Sequence, residues 1–195
     1  MINKMLFIAA FLGIAAAGLS AEGNHEPRYF EGTRIQHDFS IEYDYSPEQL
    51  FPLMCPVREY DWMSSWKGTI VYTESGYAEK YVVFYHKVPF PLHNKKAYWT
   101  ATQYDPDRFL QWCITVPDLC IVVIDGKLNP LPGGRTRIDY QYRITGLSKT
   151  GNKAIKEKFS LENLLAEINQ AKKEMEYYLK TGTMLEKDFE STMFK

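Results

Sequence analysis

Aromatic residues, most of them with a polar atom, recur at even spacings in two segments of the chain. These are the side chains best suited to contact a small molecule. His37, Phe39 and Tyr43 share one parity in RIQHDFSIEYDY, and Tyr140 and Tyr142 share one parity in TRIDYQYRIT. Side chains two residues apart point to the same face of a strand. Apolar walls with a few convergent polar groups are typical of ligand pockets. We therefore predict that these five residues contact a ligand.

The segment CPVREYDWMSSWKG, residues 55–68, places two indoles next to charged groups. Trp62 and Trp66 are predicted to line the entrance of a cavity, where flat rings contact a ligand. The alternative is a packed corner in which both indoles seal short helices against a sheet. Arg58 and Glu59 are adjacent in sequence, so they do not face one another on a helix. We expect both on a solvated helix surface, with Arg58 as a second possibility for an anionic ligand.

Other residue types that could do chemistry lack the partners that the chemistry needs. His37 could act as an acid or base on its inward-facing strand position. Cys55 has no recognisable base to activate its thiol. His86 and His93 flank a proline-rich loop, but further metal ligands are not evident around them. The sequence thus predicts no catalytic residues, no metal and no cofactor.

The composition of the chain excludes some partners and fits one domain. The 195 residues are enough for a single domain with a substantial core. The net charge is −1, so there is no excess of basic residues to attract nucleic acid. Aromatic residues make up 15% of the chain, with 14 tyrosines. Tyrosine has an apolar ring and a polar tip, which suits a partly wet inner surface as well as a core.

The N-terminus has the pattern of a secretory signal. Lys4 precedes the apolar run MLFIAAFLGIAAAGL, which is short for a membrane span, and small residues follow. We predict a signal peptide over residues 1–21, cleaved after Ala21, and a linker over residues 22–33. An uncleaved N-terminal anchor is the alternative. The expected location is periplasmic or secreted.

The three cysteines are predicted to be free thiols. An odd number leaves at least one of Cys55, Cys113 and Cys120 unpaired within the chain. Cys113 and Cys120 flank a predicted turn at residues 116–119. A two-residue turn would make them diagonal neighbours on one sheet face, which is a poor disulfide geometry.

The periodicity of the chain predicts one sheet followed by one long helix. Strict alternation indicates a half-buried strand over residues 34–45, and Ser46-Pro47-Glu48 begins a short helix that Pro52 interrupts. A second helical turn is expected in residues 55–68. Further strands are predicted at 69–74, 81–87, 97–104, 108–116, 119–128 and 136–145, with a loop at 129–134. Apolar residues then recur every three or four positions from Leu161 to Leu179, between Ser160 as N-cap and Gly182 as stop.

This order resembles that of the START-like, or SRPBCC, superfamily, which includes polyketide cyclases, lipid-transfer domains and relatives of the birch-pollen allergen. The resemblance is carried by YSPEQLF at 45–51, PVRE at 56–59, the Trp62 and Trp66 pair, and the helix ending near Tyr178-Leu179. It implies an α+β helix-grip fold over residues 34–182. In that fold, a curved antiparallel sheet of about seven strands wraps around the C-terminal helix. Two short helices follow the first strand, and residues 183–195 form a polar tail.

The resemblance also implies a cavity between the sheet and the long helix. The main expectation is an exported domain that binds a small hydrophobic ligand, such as a lipid, a sterol-like molecule, a quinone or a polyketide-like molecule. One alternative is a cyclase, dehydratase or hydrolase of the same fold. Another is a domain with a filled core that docks a protein, or touches a membrane transiently, through Phe90 and Leu92 of the loop VPFPLH.

Overall fold

The computed structural model describes residues 29–88 and 95–186. The strands are β1 (Arg34–Tyr43), β2 (Thr69–Tyr72), β3 (Val83–Lys87), β4 (Lys96–Asp105), β5 (Phe109–Val116), β6 (Cys120–Leu131) and β7 (Arg135–Gly146). The helices are α1 (Pro47–Leu50), α2 (Glu59–Trp62), α3 (Lys149–Lys158) and α4 (Leu161–Thr181), and a 3-10 turn, Phe51–Leu53, follows α1. The predicted signal peptide, Phe90 and Leu92 of the loop, and the end of the polar tail lie outside the described residues.

The seven strands form one antiparallel sheet in the order β1-β7-β6-β5-β4-β3-β2. The sheet is open, with β1 and β2 at its edges, and the long helix α4 follows it in the chain. Short helices follow β1, as predicted, so the α+β helix-grip architecture is confirmed. The register shifts between Ala101 and Gln103 in β4, and between Ile70 and Tyr72 in β2. Such bulges bend a strand and increase its twist, which allows a sheet to curve around a helix.

Alternation along the strands decides which side chains face α4. In β1, Ile35, His37 and Phe39 are half-buried, while the intervening residues are exposed. In β7, Ile138, Tyr140 and the other residues of the same parity are buried. The pairing His37↔Tyr142 and Phe39↔Tyr140 puts both predicted sets on the same face. The predicted parity is therefore confirmed, and this surface is called the inner face below.

The short helices after β1 form where local chemistry starts and stops them. The Ser46 backbone N–H donates to the Gln49 side-chain oxygen at 3.0 Å, and Pro47 occupies the first turn. Pro52 cannot continue an α-helix, so the chain tightens into the 3-10 turn. Leu50 is fully buried against the core. These elements thus cover one end of the inner face.

Helix α3 covers the opposite end of the sheet. Its N-cap Ser148 accepts a hydrogen bond from the Gly151 N–H at 2.9 Å. Gly151 packs so closely on the turn after β5 that a Cβ atom there would overlap the carbonyl oxygen of Leu119. Ile155 is fully buried between α3 and the sheet. This helix therefore lies directly on the sheet, with no space for a ligand beneath Gly151.

Helix α4 lies across the inner face between two defined ends. Ser160 accepts from the Asn163 N–H at 3.2 Å, and Gly182 terminates the helix with φ 72°. Its backbone approaches β1 and α2. Leu164 and Met175 reach the core from the apolar stripe. The predicted helix, its N-cap and its stop are confirmed.

Strand β6 is longer than predicted, since the expected loop at 129–134 is partly strand. Residues up to Leu131 pair with β7, and the turn is confined to residues 132–134. Pro130 lies inside this strand although it has no N–H to donate. The β5 ladder has already ended at the pair Phe109↔Lys127, so β6 has a free edge at this point. A missing donor costs little at such an edge.

The expected geometry of the cysteines is wrong in one respect. The connection between β5 and β6 has three residues, Pro117 to Leu119, so Cys120 pairs with Val116 and Cys113 pairs with Val123. One additional residue changes the parity of the strand. Cys120 therefore faces inward and is buried, whereas Cys113 is half-buried on the outer face. All three cysteines are free thiols, as predicted.

The contact between α3 and the sheet predicts opposite effects for two glycine substitutions. Gly→Ala in a helix normally stabilises by up to about 1 kcal/mol. At Gly151 the new methyl group overlaps the Leu119 carbonyl, so we expect Gly151→Ala to reduce the free energy of unfolding by about 2 kcal/mol. Urea unfolding would measure the change.

Gly126 in β6 is the matched control for this measurement. A Cβ atom there would meet its nearest neighbours at 3.8 Å, which is an ordinary contact distance. We expect Gly126→Ala to be neutral or to stabilise by about 0.5 kcal/mol. Equal losses in both variants would contradict the close packing of α3 on the sheet.

Candidate functional site

The region between the inner face and α4, called the cleft below, has fully buried residues at both ends and aromatic side chains in the middle. Ile144 near α3 and Leu50 of α1 are both 0% exposed. Between these ends, Tyr142 and Trp112 each keep 8% exposure although they lie on inner strands. Trp99 on β4 is half-buried although its side chain faces inward. The inner face thus carries a band of aromatic side chains between two fully buried ends.

Four of the predicted ligand contacts form one aromatic group on the β1–β7 side of the cleft. The ring of Phe39 stacks on Tyr142 with centroids 5.6 Å apart and lies 5.4 Å from Tyr140. The hydroxyl groups of Tyr43 and Tyr140 are 3.4 Å apart. Burial raises the pKa of Tyr140 well above its usual range, with Tyr43 adding to the effect. These phenols therefore remain neutral and act as hydrogen-bonding groups in an apolar wall.

A second aromatic group lies on the β3–β4 side and includes Trp66. The indole of Trp66 meets the ring of Phe84 at 5.7 Å and that of His86 at 5.5 Å. Phe84 also stacks on Trp99 at 5.4 Å and meets Trp112 edge-on at 5.4 Å. Such aromatic pairs stabilise by about 1 kcal/mol each beyond their apolar burial. The structure thus places the predicted site residues in two aromatic groups on opposite sides of the cleft. These two groups are called the walls below.

His86 is held in one tautomer by its neighbour. The indole N–H of Trp99 donates to Nδ1 of His86 at 3.0 Å. Because an indole nitrogen can only donate, Nδ1 must accept and the proton must lie on Nε2. Burial lowers the pKa of His86, which keeps the ring neutral. Its Nε2–H is consequently a fixed donor in the interior.

Two predicted site residues use their polar atoms within the fold. Nε2 of His37 hydrogen-bonds the Phe159 carbonyl oxygen at 2.8 Å, which ties β1 to the segment between α3 and α4. The indole N–H of Trp62 donates to the Leu53 carbonyl at 3.0 Å, and its ring is only 2% exposed. Trp62 therefore seals the corner, as the structural alternative expected. Ligand contact by either residue stays a prediction.

Glu59 is half-buried like Arg58, and the solvated surface position expected for it stays a prediction. Desolvation raises the pKa of its carboxyl to about 8. The residue still retains partial exposure. Glu59 lies at the start of α2, a helix of four residues.

Arg58, by contrast, is engaged on the protein surface. Its Nε donates to Asp61 at 2.6 Å, and the pair is largely exposed. Its guanidinium also approaches the Tyr178 hydroxyl at 3.5 Å. These contacts raise the pKa of Arg58, chiefly through the bond to Asp61. The solvated position that we predicted for Arg58 is confirmed.

Glu167 on α4 brings a second carboxyl to the cleft. It shares the helix stripe of Leu164 and Ala171, which are three and four residues away. The residue is exposed, yet burial raises the pKa of its carboxyl. The pKa of Tyr142 is raised by burial first and by the charge of Glu167 second. The carboxyl of Glu167 therefore faces Tyr142 across the cleft in a position that solvent still reaches.

Glu174 is also buried, and its hydrogen bonds connect parts of the fold. It is 1% exposed and accepts from the Gln170 side chain at 2.8 Å and from the Ser64 N–H at 3.3 Å. These bonds hold the segment after α2 against α4. A buried carboxylate with donors is tolerated because its lone pairs are engaged.

The outer face of the sheet has a shallow depression, and its polar groups largely bond one another. It measures about 450 Å³ and is open to solvent. Asp38 on its rim accepts from Gln141 at 2.7 Å, and Asp125 accepts from Arg143 at 2.6 Å. Side chains engaged in this way have little capacity left for a ligand. The cleft on the inner face is therefore the better candidate site.

Residues 29–88 and 95–186 bring together no group of three or more His, Cys, Asp or Glu side chains that could hold a metal ion. None of the helices in this part of the chain has the length and apolarity required to span a membrane.

Comparison with solved structures places the fold among known proteins. An aromatase/cyclase from Streptomyces sp. R1128 superposes with a TM-score of 0.57 at 13% identity, covering 78% of this chain and 100% of the other. Norcoclaurine synthase from Thalictrum flavum gives 0.56 at 9% identity, covering 85% and 99%. A Staphylococcus aureus protein of unknown function gives 0.58 at 13% identity, covering 78% and 97%.

These similarities confirm the predicted resemblance at the level of fold. The chain has the helix-grip fold that these structures share. No protein-family model matches the sequence, and no curated protein matches it significantly. At such low identity, the shared fold does not transfer a ligand or an activity.

Sequence reasoning missed the environments of three ionisable groups. Glu167 lies on the apolar stripe of the predicted helix, three residues from Leu164, so its position carried a detectable signal. Glu59 lies in a four-residue helix, which is too short for periodicity to assign a face. The role of His86 depends on Trp99, which lies 13 residues away on the next strand. These last two positions required tertiary structure.

The Trp99–His86 bond predicts the protonation state of the imidazole. We expect the ring of His86 to stay neutral, with its proton on Nε2, at pH values where a free histidine is half protonated. Two-dimensional ¹⁵N–¹H NMR would measure the tautomer. Trp99→Phe removes the donor, so a mixture of tautomers should appear. A protonated ring in the wild type near pH 6.5 would contradict the assignment.

The raised pKa of Glu59 predicts a pH-dependent stability. The unfolded chain loses this proton near the ordinary value of 4.5, whereas the folded chain keeps it until about pH 8. The contribution of Glu59 to stability is therefore fully present below pH 4.5 and is lost as the pH rises to about 8. The loss is on the order of 1 kcal/mol per pH unit at most.

Glu59→Gln should remove this component without changing the shape of the side chain. We expect the variant to be more stable than the wild type near pH 8 and similar to it near pH 4.5, as measured by urea unfolding across that range. The exposed Glu162 in the first turn of α4 provides the control variant Glu162→Gln. The same pH profile in wild type and Glu59→Gln would show that Glu59 is not desolvated.

Proposed function

We propose that this protein binds a small, largely apolar molecule in the cleft between the inner face and α4. The observation that carries the proposal is the pair of aromatic walls on the inner face, which lie between fully buried ends. Tyr142 and Trp112 represent the two walls, and both retain exposure at inner-strand positions. Concave apolar sites with a few polar groups are the usual form of small-molecule sites.

Apolar burial would supply most of the affinity. Each Å² of apolar surface removed from water contributes about 25 cal/mol before the costs of association. The rings of Phe39, Trp66 and Trp99 are half-buried, so each has surface left for a ligand to cover. Flat aromatic walls suit planar or ring-containing molecules because offset stacking is favourable.

The polar groups of the cleft would orient the ligand. The Nε2–H of His86 is a donor, since Trp99 occupies the other ring nitrogen. The Tyr142 hydroxyl faces the carboxyl of Glu167 from the opposite side of the cleft. A ligand with polar groups at two positions would therefore be held in one direction along the cleft.

We further propose that binding takes place outside the cytoplasm. The support is the N-terminal pattern of Lys4 followed by a short apolar run and small residues. The described domain begins at β1, after the predicted linker, so removal of residues 1–21 would leave its elements complete. Binding and carriage of an apolar molecule between membranes is a function that such a location would fit.

An enzyme of the cyclase or dehydratase type is the second candidate. Its support is the presence of titratable groups with shifted pKa values in the interior, His86 and Glu59. Such groups are enriched at catalytic sites. Incubation of a co-purified ligand with the protein distinguishes the candidates, because an enzyme changes the ligand and a carrier releases it unchanged.

A filled-cleft variant tests the binding proposal directly. Ala171 is half-buried on the inward stripe of α4, and it packs against the core. Ala171→Phe should occupy cleft volume and weaken binding of the neutral fluorescent probe N-phenyl-1-naphthylamine by about tenfold or more. Native mass spectrometry followed by solvent extraction would identify any molecule that purifies with the wild type.

Ala166→Phe is the matched control because Ala166 is exposed on the same helix. We expect this variant to bind the probe as the wild type does. Thermal unfolding of both variants would show that the cleft variant is folded. Equal probe binding by both variants, or no binding by the wild type, would overturn the proposal.

A further inference from the structure

The edge of the sheet at β2 carries a concentration of exposed aromatic side chains. Among residues 29–88 and 95–186, seven large apolar side chains are at least half exposed, and five of them belong to this edge. The other two, Tyr29 and Phe30, precede β1. The five, called the tyrosine surface below, are Tyr60, Val71, Tyr72, Tyr77 and Tyr81. Exposed apolar side chains concentrated in one place indicate an interaction surface.

Hydrogen bonds hold these side chains in one stretch beside β2. The Tyr60 hydroxyl of α2 donates to the carbonyl oxygen of Gly68, immediately before the strand. Beyond the other end of the strand, the Thr73 hydroxyl donates to the Tyr77 carbonyl oxygen at 2.8 Å and closes a turn. The tyrosine surface therefore runs from α2 along β2 and into the turn that follows.

Tyr81 is held outward by a backbone conformation that disfavours a large side chain. Its φ is 70°, in the left-handed region that glycine and asparagine tolerate best. Its N–H donates to the Ala101 carbonyl oxygen at 2.8 Å, which fixes the backbone at this point. The ring is 61% exposed, and the ammonium of Lys80 lies 4.9 Å from its centroid. Packing does not account for a tyrosine strained in this way, so its ring is open to a partner.

The surroundings of the tyrosine surface are positively charged. Residues 67–88 and 95–98 contain five lysines and two glutamates, a net charge of +3 in a chain whose total is −1. Within the described ranges, Lys67, Lys80, Lys87 and Lys96 are exposed and form no ion pair. Lys87 and Lys96 lie directly opposite each other on β3 and β4, where like charges repel. An anionic partner would relieve this repulsion.

The two glutamates of this region are engaged within the turn. Glu74 accepts from the Tyr72 hydroxyl at 3.0 Å. Glu79 accepts from the Ser75 N–H at 3.1 Å and from the Thr73 hydroxyl at 2.9 Å. The N–H of Glu74 also donates to Glu79 and is the main reason why the pKa of Glu79 is lowered. These carboxylates therefore hold the turn and leave the lysines uncompensated.

Strand β2 is poorly suited to pairing with a further strand. It has four residues, and its register shifts between Ile70 and Tyr72. A short, bulged edge is a form that disfavours edge-to-edge pairing. A second copy of this chain would also bring the same positive charge to the contact. A partner therefore meets the side chains of this edge, and the charge favours an anionic one.

We propose that the tyrosine surface docks the protein on the headgroup region of an anionic lipid bilayer. Tyrosine combines an apolar ring with a polar tip, and it is enriched where membranes meet water. Lysine extends its charge beyond an apolar stem and is attracted to anionic lipid. Because lysine is depleted at protein interfaces, the combination favours lipid over protein. This surface is separate from the cleft, so the inference does not rest on the proposed function.

Cosedimentation of the full chain with lipid vesicles tests this inference. The probes are vesicles of phosphatidylcholine alone and vesicles in which about one third of the lipid is phosphatidylglycerol. We expect the protein to bind the anionic vesicles about tenfold more tightly. The difference should disappear near 1 M salt, where the Debye length is about 3 Å. The N-terminal apolar run is common to all variants, so its contribution cancels when variants are compared on the same vesicles.

The double variant Tyr77→Ser/Tyr81→Asn removes two rings of the surface. Asparagine tolerates the left-handed backbone at position 81, so the variant should remain folded, as thermal unfolding would show. We expect it to bind the anionic vesicles about tenfold more weakly than the wild type. Tyr177→Ser is the matched control, because Tyr177 is exposed on α4, outside the tyrosine surface. This control should bind as the wild type does.

A charge variant tests the contribution of the lysines. Lys80→Gln/Lys87→Gln should reduce the preference for anionic vesicles to about threefold or less. Lys153→Gln, on the exposed surface of α3, should leave the preference nearly unchanged. Equal losses in both variants would show that total charge, and not the tyrosine surface, determines binding, and would overturn the inference.

Other outcomes would overturn the inference as well. They are equal binding by the wild type and Tyr77→Ser/Tyr81→Asn, or no binding of the wild type to anionic vesicles. If the wild type ignores vesicles but forms a dimer in light scattering, and the double variant is monomeric, the surface binds a second copy instead. The double variant should still bind N-phenyl-1-naphthylamine as the wild type does. Loss of vesicle docking and failure of the proposed function are therefore separate results.

Discussion

The interior of this protein depends on the register between β1 and β7. Ten residue pairs, from Arg34↔Thr145 to Tyr43↔Thr136, fix which side chains of both strands face α4. A slip of one residue would move Phe39 and its neighbours to the solvent face, because the side-chain period of a strand is two. The same register places Phe39 beside Tyr140, which creates the first aromatic wall. The cleft therefore exists only as long as this pairing is kept.

Two short helical regions and one long helix then decide how much of the inner face is sealed. Helix α3 lies directly on the sheet through Gly151, and α1 covers the other end through Leu50. Helix α4 crosses between them and brings Glu167 to the cleft along with its apolar residues. Tight packing at these ends supplies stability to the fold.

Desolvation of ionisable groups lowers the stability of the folded chain. Glu59 and His86 both favour their neutral forms because burial disfavours charge. Each could be replaced by an apolar residue if packing were the only requirement. Solved structures with this fold include an aromatase/cyclase and norcoclaurine synthase, at 13% and 9% identity. At these identities the comparison reaches the fold and not the chemistry of the cleft.

The sequence by itself determined the elements, the parity of the strands and the fold class. Alternation assigned Tyr140 and Tyr142 to the inner face, and apolar spacing with Ser160 and Gly182 defined α4, because these signals are local and periodic. Turn length was not determined in this way, and one additional residue before Cys120 reversed the expected face. Tertiary structure alone decided the environments of Glu59 and His86. Desolvation and the Trp99 hydrogen bond arise from segments that are distant in sequence and meet only in the folded chain.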